Sequence, residues 1–103
     1  MSSYRKGRRF EWRVRDYLER KGWFVARQTR SSFPDLIAIK NGKILLIECK
    51  VDPRNFSKRE REDLISLAKK LKAKPYLAFR RNRRIVLLPL GDKDEESLLL
   101  VEQ

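Results

Sequence analysis

Three charged residues border a segment that is otherwise strongly apolar: Asp35, Glu48 and Lys50. The two apolar runs between them are joined by Asn41-Gly42, the dipeptide most typical of a two-residue hairpin turn. With that turn, the numbers of opposed residues sum to 83, so Asp35 faces Glu48. Opposed side chains share one face of a sheet with Cβ atoms about 4.5–5.5 Å apart. Lys50, two residues beyond Glu48, shares that face because side chains alternate along a strand.

Two carboxylates directly opposed in a hairpin destabilise it. Either Lys50 neutralises the pair, or a divalent cation lies between the carboxylates. Mg²⁺ takes oxygen ligands and is often held by one or two carboxylates together with a substrate phosphate. Each charged residue alone is more typical of a solvated strand or a surface ion pair, but their shared face favours a site. Cys49 points to the other face and is expected to be a buried core thiol.

The charge balance indicates a polyanionic partner. The chain carries 26 Lys and Arg against 14 Asp and Glu, a formal net charge of +12. Five of the acids lie in residues 92–103, so residues 1–91 hold 25 basic and nine acidic residues, a net of +16. Neutralisation of phosphates with release of counterions drives nucleic-acid binding independently of sequence. The composition therefore predicts a nucleic-acid-binding protein.

Missing residue types exclude several classes of enzyme. The chain has no histidine, which excludes Ser-His-Asp and Cys-His nucleophile systems and histidine-ligated metal sites. Its single cysteine cannot form an intramolecular disulfide, which fits a reducing compartment. No apolar run reaches the ~20 residues that cross a bilayer, and the N-terminus lacks the apolar region of a signal peptide. We expect an intracellular, cytoplasmic protein without a membrane partner.

Residue periodicity predicts one small α/β domain over residues 1–103. Apolar residues at helical spacing from Phe10 to Leu18 indicate a first helix, with Glu11 at the edge of its buried face. Ser57 followed by Glu60 fits a capping box that opens a second helix. The predicted helices are 5–21 and 58–73, and the predicted strands are 23–27, 35–40, 43–51, 75–80 and 84–90. The order αβββαββ predicts a mixed five-stranded sheet flanked by helices.

Two apolar segments are candidates for a dimer surface. Ile85 to Leu88 is apolar on both faces, which in so small a domain suggests that one face meets another subunit. The tail over 92–103 is acidic and then apolar, and its residues Leu98–Val101 form the second candidate. We expect this tail to form a short helix or to pack against a partner.

The chemistry-bearing residues also resemble a known family. Pro34-Asp35 followed by Glu48-x-Lys50 across a hairpin, with an acidic residue on the preceding helix, resembles the PD-(D/E)xK nuclease superfamily. The match extends to YRKGRRFEWRVRDYLERKGWFVAR, SSFPDLIA and ILLIECKV, which resemble archaeal Holliday junction resolvases and their viral and phage relatives. In that family an Arg-Lys-Gly motif precedes the helix glutamate, as Arg5-Lys6-Gly7 precedes Glu11 here. The resemblance covers about residues 4–90 and implies a restriction-endonuclease-like fold.

The resemblance implies a catalytic set of Glu11, Asp35, Glu48 and Lys50. The three acids would bind Mg²⁺, for which Mn²⁺ would substitute, with the backbone carbonyl of Cys49 as a further ligand. Lys50 would position or polarise the attacking water and stabilise charge in the transition state.

The resemblance also implies DNA contacts from the first helix and from the loop before Asp35. Arg27 and Ser31 stand where the family has a functional arginine and serine, although Ser32 could replace Ser31 and Arg27 could contact a phosphate without a catalytic role. Trp12 replaces a frequent arginine, so that contact passes to Arg13 or is lost. Trp12 itself would stack on an exposed base or lie at an interface. The predicted DNA-binding residues are Arg5, Lys6, Arg8, Arg9, Arg13, Arg27, Arg30 and Ser31.

The predicted function is a Mg²⁺-dependent, structure-specific endonuclease that resolves four-way DNA junctions. Two symmetric cuts require two active sites, which predicts a C₂ homodimer. One alternative is another PD-(D/E)xK nuclease with a repair, fork, flap or restriction substrate. A second is a basic DNA-binding protein without catalysis, which the carboxylates argue against because a pure binder gains nothing from negative charge beside phosphate.

Overall fold

The fold is one mixed sheet with a helix packed against each face, in a computed structural model that describes residues 3–28, 33–91 and 100–101. The elements in chain order are α1 (Ser3–Arg20), β1 (Phe24–Arg27), β2 (Leu36–Lys40), β3 (Lys43–Cys49), α2 (Lys58–Leu71), β4 (Lys74–Arg81), β5 (Arg84–Pro89) and β6 (Leu100–Val101). Strands are neighbours in chain order, and only β3 and β4 among these pairs run parallel. The predicted order and the five predicted strands are confirmed, with ends shifted by one or two residues. The tail adds β6 as a short sixth strand.

The β2–β3 hairpin has the predicted register. Its Cα partners run from Leu36 opposite Ile47 to Lys40 opposite Lys43. Asn41 and Gly42 both have positive φ, 48° and 80°, as a type I′ turn requires. A local turn therefore fixes which residues of the two strands lie side by side at the far end of the hairpin.

Helix α1 covers one face of the sheet. Its apolar residues Phe10, Val14 and Leu18 are buried in a core shared with Leu36, Ile47 and other residues of the sheet. This packing sets the rotation of α1 about its own axis. Glu11 therefore emerges at the edge of the packed face, next to the end of β1.

Helix α2 covers the opposite face and begins with the predicted capping box. The side chain of Ser57 accepts a hydrogen bond from the backbone N–H of Glu60, and the side chain of Glu60 accepts one from the backbone N–H of Ser57. Leu64 and Ala68 bury the helix against the sheet. Lys72, in the left-handed conformation with φ 57°, ends the helix before the predicted boundary. Neither helix of the described chain is long and apolar enough to cross a membrane.

The apolar character of β5 on both faces is satisfied within the chain. Ile85 and Leu87 belong to the core under α1, and Val86 belongs to the core under α2. The expectation that Ile85–Leu88 presents a face to another subunit is therefore wrong for its first three residues, because a helix covers each side of the sheet. Only Leu88 of this segment is exposed. In the second candidate surface, Leu100–Val101 pair with β5 as β6, and residues 98–99 lie outside the described chain.

Candidate active site

Asp35 and Glu48 meet at the open end of the hairpin, each bound to the backbone of the opposite segment. The backbone N–H of Asp35 donates to Glu48 Oε1 at 3.2 Å, and the backbone N–H of Cys49 donates to Asp35 Oδ2 at 2.8 Å. This exchange lies one pair beyond the last pair of the strand ladder, Leu36 and Ile47. The register therefore brings the two carboxylates together as predicted. The Cys49 side chain packs against the core under α1, as predicted, but it is partly rather than fully buried.

The surroundings of the two carboxylates favour their neutral, protonated forms. Glu48 is 6% exposed and is the one buried charged residue within the described chain. Burial, followed by the charge of Asp35, raises the pKa of Glu48 to about 8 in spite of nearby Lys50. Burial also raises the pKa of Asp35, against the hydrogen bond from Cys49 and the charge of Lys50. A bound cation would remove the cost of ionising this pair.

Lys50 lies beside the carboxylates and contacts an acid that the sequence analysis assigned only to helix capping. Its Nζ atom is 3.9 Å from Glu48 Oε2 and 3.0 Å from Glu60 Oε2. Burial alone would lower the pKa of Lys50, but the hydrogen bond and the charge of Glu60 outweigh burial and raise it. Lys50 is therefore a cation at neutral pH. The contact between Glu60 and Lys50 could not be predicted from spacing, because it depends on how α2 packs on the sheet.

Glu11 reaches the same region from α1 and forms an ion pair with the last residue of β1. Arg27 Nε donates to Glu11 Oε1 at 3.1 Å, and both side chains are mostly buried. Burial and the charge of Asp35 raise the pKa of Glu11, while Arg27 opposes them. The influence of Asp35 on Glu11 indicates that α1 delivers its carboxylate to the edge of the hairpin site.

The acidic residues supply the type of ligand atom that a hard divalent cation prefers, since such ions take carboxylate and carbonyl oxygens. Asp35 and Glu48 supply two adjacent carboxylates, and burial raises the pKa of both. Glu11 is engaged by Arg27, and no group of three or more Asp, Glu or Cys side chains in the described residues is arranged to hold a metal ion. The structure therefore brings two carboxylates together, and metal binding by them, by Glu11 and by the Cys49 carbonyl stays a prediction.

The predicted DNA-binding residues that the structure describes lie on α1 and at the end of β1. Lys6 and Arg9 are exposed, and the Arg8 guanidinium lies 5.9 Å from the ring centroid of Trp12, which is 43% exposed. Arg13 Nη2 donates to the backbone carbonyl of Arg83 at 2.5 Å, which joins α1 to the β4–β5 turn. The side chain of Arg5 and all of Arg30 and Ser31 lie outside what the structure describes.

The mixed sheet, the helix on each face and the carboxylate pair with its lysine together match the arrangement expected of a PD-(D/E)xK nuclease. A family model described as archaeal Holliday junction resolvase (Hjc) matches residues 2–99. The chain belongs to the archaeal Holliday junction resolvase family. The family takes its name from the Holliday junction, a four-way branched DNA.

Two similar proteins extend the comparison. The crossover junction endodeoxyribonuclease Hjc of Methanocaldococcus jannaschii is 36% identical over 88 residues, which cover 82% of this chain and 66% of that protein. The chain thus matches just under two thirds of that relative's length. The 1.6 Å structure of Archaeoglobus fulgidus Hjc, a Holliday junction resolvase from an archaeal hyperthermophile, matches with a TM-score of 0.72 and 24% identity, covering 91% of this chain and 87% of that one. This second likeness shows that the fold is shared.

Proposed function

We propose that this chain is a Mg²⁺-dependent, structure-specific endonuclease that resolves four-way DNA junctions by paired symmetric nicks, with residues 1–103 forming one nuclease domain. The observation that carries the proposal is the meeting of Asp35, Glu48 and Lys50 at the open end of the hairpin. Two adjacent, largely buried carboxylates beside a lysine suit a phosphodiester held through a divalent cation. The net charge of +16 over residues 1–91 supplies attraction for a branched polyanion.

Each residue of the catalytic set has a role that follows from its position. Asp35 and Glu48 would hold Mg²⁺, and Glu11 and the Cys49 carbonyl would complete the ligand set. When bound, the ion supplies a Lewis acid that offsets charge on the scissile phosphate and promotes deprotonation of a water. Lys50 orients the attacking water and stabilises the negative charge that grows on the phosphate oxygens. The backbone hydrogen bonds to Asp35 and Glu48 keep both carboxylates oriented before substrate binds.

Junction resolution requires two cuts at symmetry-related positions, so we propose a C₂ homodimer with both sites on one basic face. In the candidate surface Ile85–Leu88, only Leu88 is exposed and available for such an interface. Light scattering after size exclusion, under cleavage conditions, tests this part, and a monomer that still makes paired nicks would contradict it.

The test of function is a cleavage panel with and without Mg²⁺. The substrates are a four-way junction, a flap, a nicked duplex and a linear duplex, each end-labelled on every strand in turn. We expect the junction to be cut fastest, with nicks at symmetric positions on opposed strands and with 5′-phosphate ends. Mn²⁺ is expected to replace Mg²⁺, and chelation is expected to stop cleavage while binding persists.

The alternatives give different results in the same panel. Preference for a flap, a fork or linear duplex would identify another PD-(D/E)xK nuclease and overturn the proposed substrate. Tight junction binding with no cleavage in either metal would identify a DNA-binding protein without catalysis.

A further inference from the structure

Lys50 lies closer to Glu60, which is outside the proposed catalytic set, than to Glu48, which belongs to it. The distance from its Nζ atom to Glu60 Oε2 is 3.0 Å, against 3.9 Å to Glu48 Oε2. The contact with Glu60 meets hydrogen-bond geometry. Lys50 and Glu60 are both partly buried, with side-chain exposures of 24% and 32%. The ammonium group of Lys50 therefore lies between Glu48 and Glu60, and it hydrogen-bonds to Glu60.

Glu60 is itself fixed at the start of α2. Its Oε1 atom accepts a hydrogen bond from the backbone N–H of Ser57 at 2.9 Å, and its own N–H donates to Ser57 Oγ at 3.0 Å. The helix that carries it is anchored to the sheet by the buried Leu64 and Ala68. One carboxylate oxygen is thus used for capping, and the other receives Lys50.

We infer that Glu60 is a positioning residue for Lys50, holding the ammonium group at the end of β3 and away from direct contact with Glu48. A lysine has a long flexible stem and a compact charge, so without Glu60 it would move towards the carboxylate pair. There it would compete with a cation for Glu48 and lose its alignment with the phosphate. The inference deepens the proposed function, because it rests on the catalytic role assigned to Lys50.

The critical variant is Glu60→Gln, which separates the two roles of the side chain. Glutamine supports a capping box as glutamate does, so the start of α2 is retained while the charge that holds Lys50 is removed. Ser57→Ala is the complementary variant, since it weakens the cap and leaves the carboxylate. Glu62→Gln is the matched control, because Glu62 is an exposed acid on the same helix.

The first readout is zero-length carbodiimide cross-linking of the metal-free protein, mapped by peptide mass spectrometry. This reagent joins an amine to a carboxyl group only when they touch, so it reports the position of Lys50 without any need for activity. We expect Lys50–Glu60 to be the main product in the unaltered protein and in Glu62→Gln. In Glu60→Gln that product is lost, and Lys50–Glu48 is expected to increase at least ~3-fold as the lysine moves across.

The second readout compares the single-turnover cleavage rate of a four-way junction with its Kd. We expect Glu60→Gln to cut roughly 10- to 100-fold more slowly, the scale expected when a reacting group is displaced by about 1 Å. Its Kd is expected to stay within ~2-fold, because one carboxylate is a small part of a surface whose residues 1–91 carry a net charge of +16. Ser57→Ala is expected to lower the melting temperature more than Glu60→Gln does, and to slow cleavage less.

The outcomes separate this inference from the proposed function. If Lys50→Ala cuts normally, the catalytic role of Lys50 fails and the proposed mechanism fails with it. If Lys50→Ala is inactive but Glu60→Gln matches Glu62→Gln in both cross-linking and cleavage, the positioning role alone is overturned. The positioning role is also overturned if Ser57→Ala reproduces the whole loss, since capping would then explain it.

Discussion

Arg27 at the end of β1 forms a 3.1 Å ion pair with Glu11 of α1, joining the two elements that border the hairpin site. The ion pair affects the proposed metal-binding role of Glu11 in two opposite ways. Arg27 lowers the pKa of Glu11 and so opposes burial and the charge of Asp35, which together raise it. The same arginine occupies the Glu11 carboxylate. Arg27 thus stabilises the charge that a divalent cation would use.

This relationship predicts a measurable coupling in the metal-free protein. Glu11→Gln, Arg27→Gln and the double variant form a double-mutant cycle in the free energy of unfolding. Because both side chains are still partly exposed and so screened by solvent, we expect a coupling of about 0.2–1 kcal/mol, the range of surface ion pairs. Urea unfolding at low salt measures it, and a coupling of zero would mean that the pair does not contribute in solution.

The same variants separate the two roles considered for Arg27. A phosphate contact predicts that Arg27→Gln weakens junction binding and leaves the cleavage rate of bound junction within a few-fold. A catalytic role predicts the reverse pattern. The exposed Arg59 on α2 provides an Arg→Gln control with the same change in charge.

Asp35→Asn is expected to retain junction binding and to lose cleavage. The asparagine amide oxygen can still accept the hydrogen bond from Cys49 N–H, so the fold is kept while the negative charge that holds a cation is removed. Groups that stabilise charge at a reacting centre typically contribute roughly 100-fold or more to the rate. Single-turnover cleavage and a gel-shift titration of the same four-way junction measure the two effects.

The control for that experiment is Asp63→Asn, which removes an equal charge from an exposed acid on α2. We expect it to cut at the normal rate. If Asp35→Asn also cuts at the normal rate, the assignment of the active site to the hairpin end is wrong.

Much of the site could be predicted because local signals determined it. The Asn41-Gly42 turn fixes the register, and the register alone brings Asp35 opposite Glu48. The capping box of Ser57 and Glu60 is equally local, since its donors and acceptors lie within one helical turn.

Contacts between distant elements could not be predicted in the same way. The partner of Lys50 on α2 depends on how that helix packs, and spacing within the sequence does not specify packing. The apolar segment Ile85–Leu87 was misinterpreted for a related reason. Its two apolar faces indicate two-sided burial, but the sequence does not say whether a helix of the same chain or another subunit provides the cover. The pairing of β6 with β5 was likewise not predicted.

The raised pKa of Glu48 predicts that the stability of the metal-free protein falls as pH rises. The folded protein keeps a proton on Glu48 up to a pKa of about 8, whereas an unfolded chain releases it near the ordinary glutamate pKa of 4.5. Below pH 4.5 both states are protonated and the contribution to stability is complete. It is lost progressively as pH rises from about 4.5 to about 8, where the folded state also ionises.

Glu48→Gln should flatten this dependence, because the amide does not titrate. The melting temperature of the chelated protein is measured from pH 5 to pH 9 for both chains, and the difference between the two curves isolates Glu48. Glu19→Gln, an exposed acid on α1, is the control and should follow the unaltered protein. Parallel curves for Glu48→Gln and the unaltered protein would contradict the raised pKa.

Added Mg²⁺ should stabilise the unaltered protein more at pH 8 than at pH 6, since a cation binds the ionised carboxylate.

The exposed basic face of α1 is expected to contribute through phosphate contacts. Lys6 and Arg9 lie on this helix, are exposed, and belong to the predicted DNA-binding set. Replacing both with glutamine should weaken junction binding uniformly across junction sequences, and should reduce the slope of log K against log salt by roughly 2 if each contacts one phosphate. The control replaces Lys69 and Lys70, exposed residues in the last turn of α2, with the same change in charge. Binding titrations at four or more salt concentrations give both slopes. Equal slopes for the two double variants would indicate that α1 acts only through net charge, and that DNA lies elsewhere on the surface.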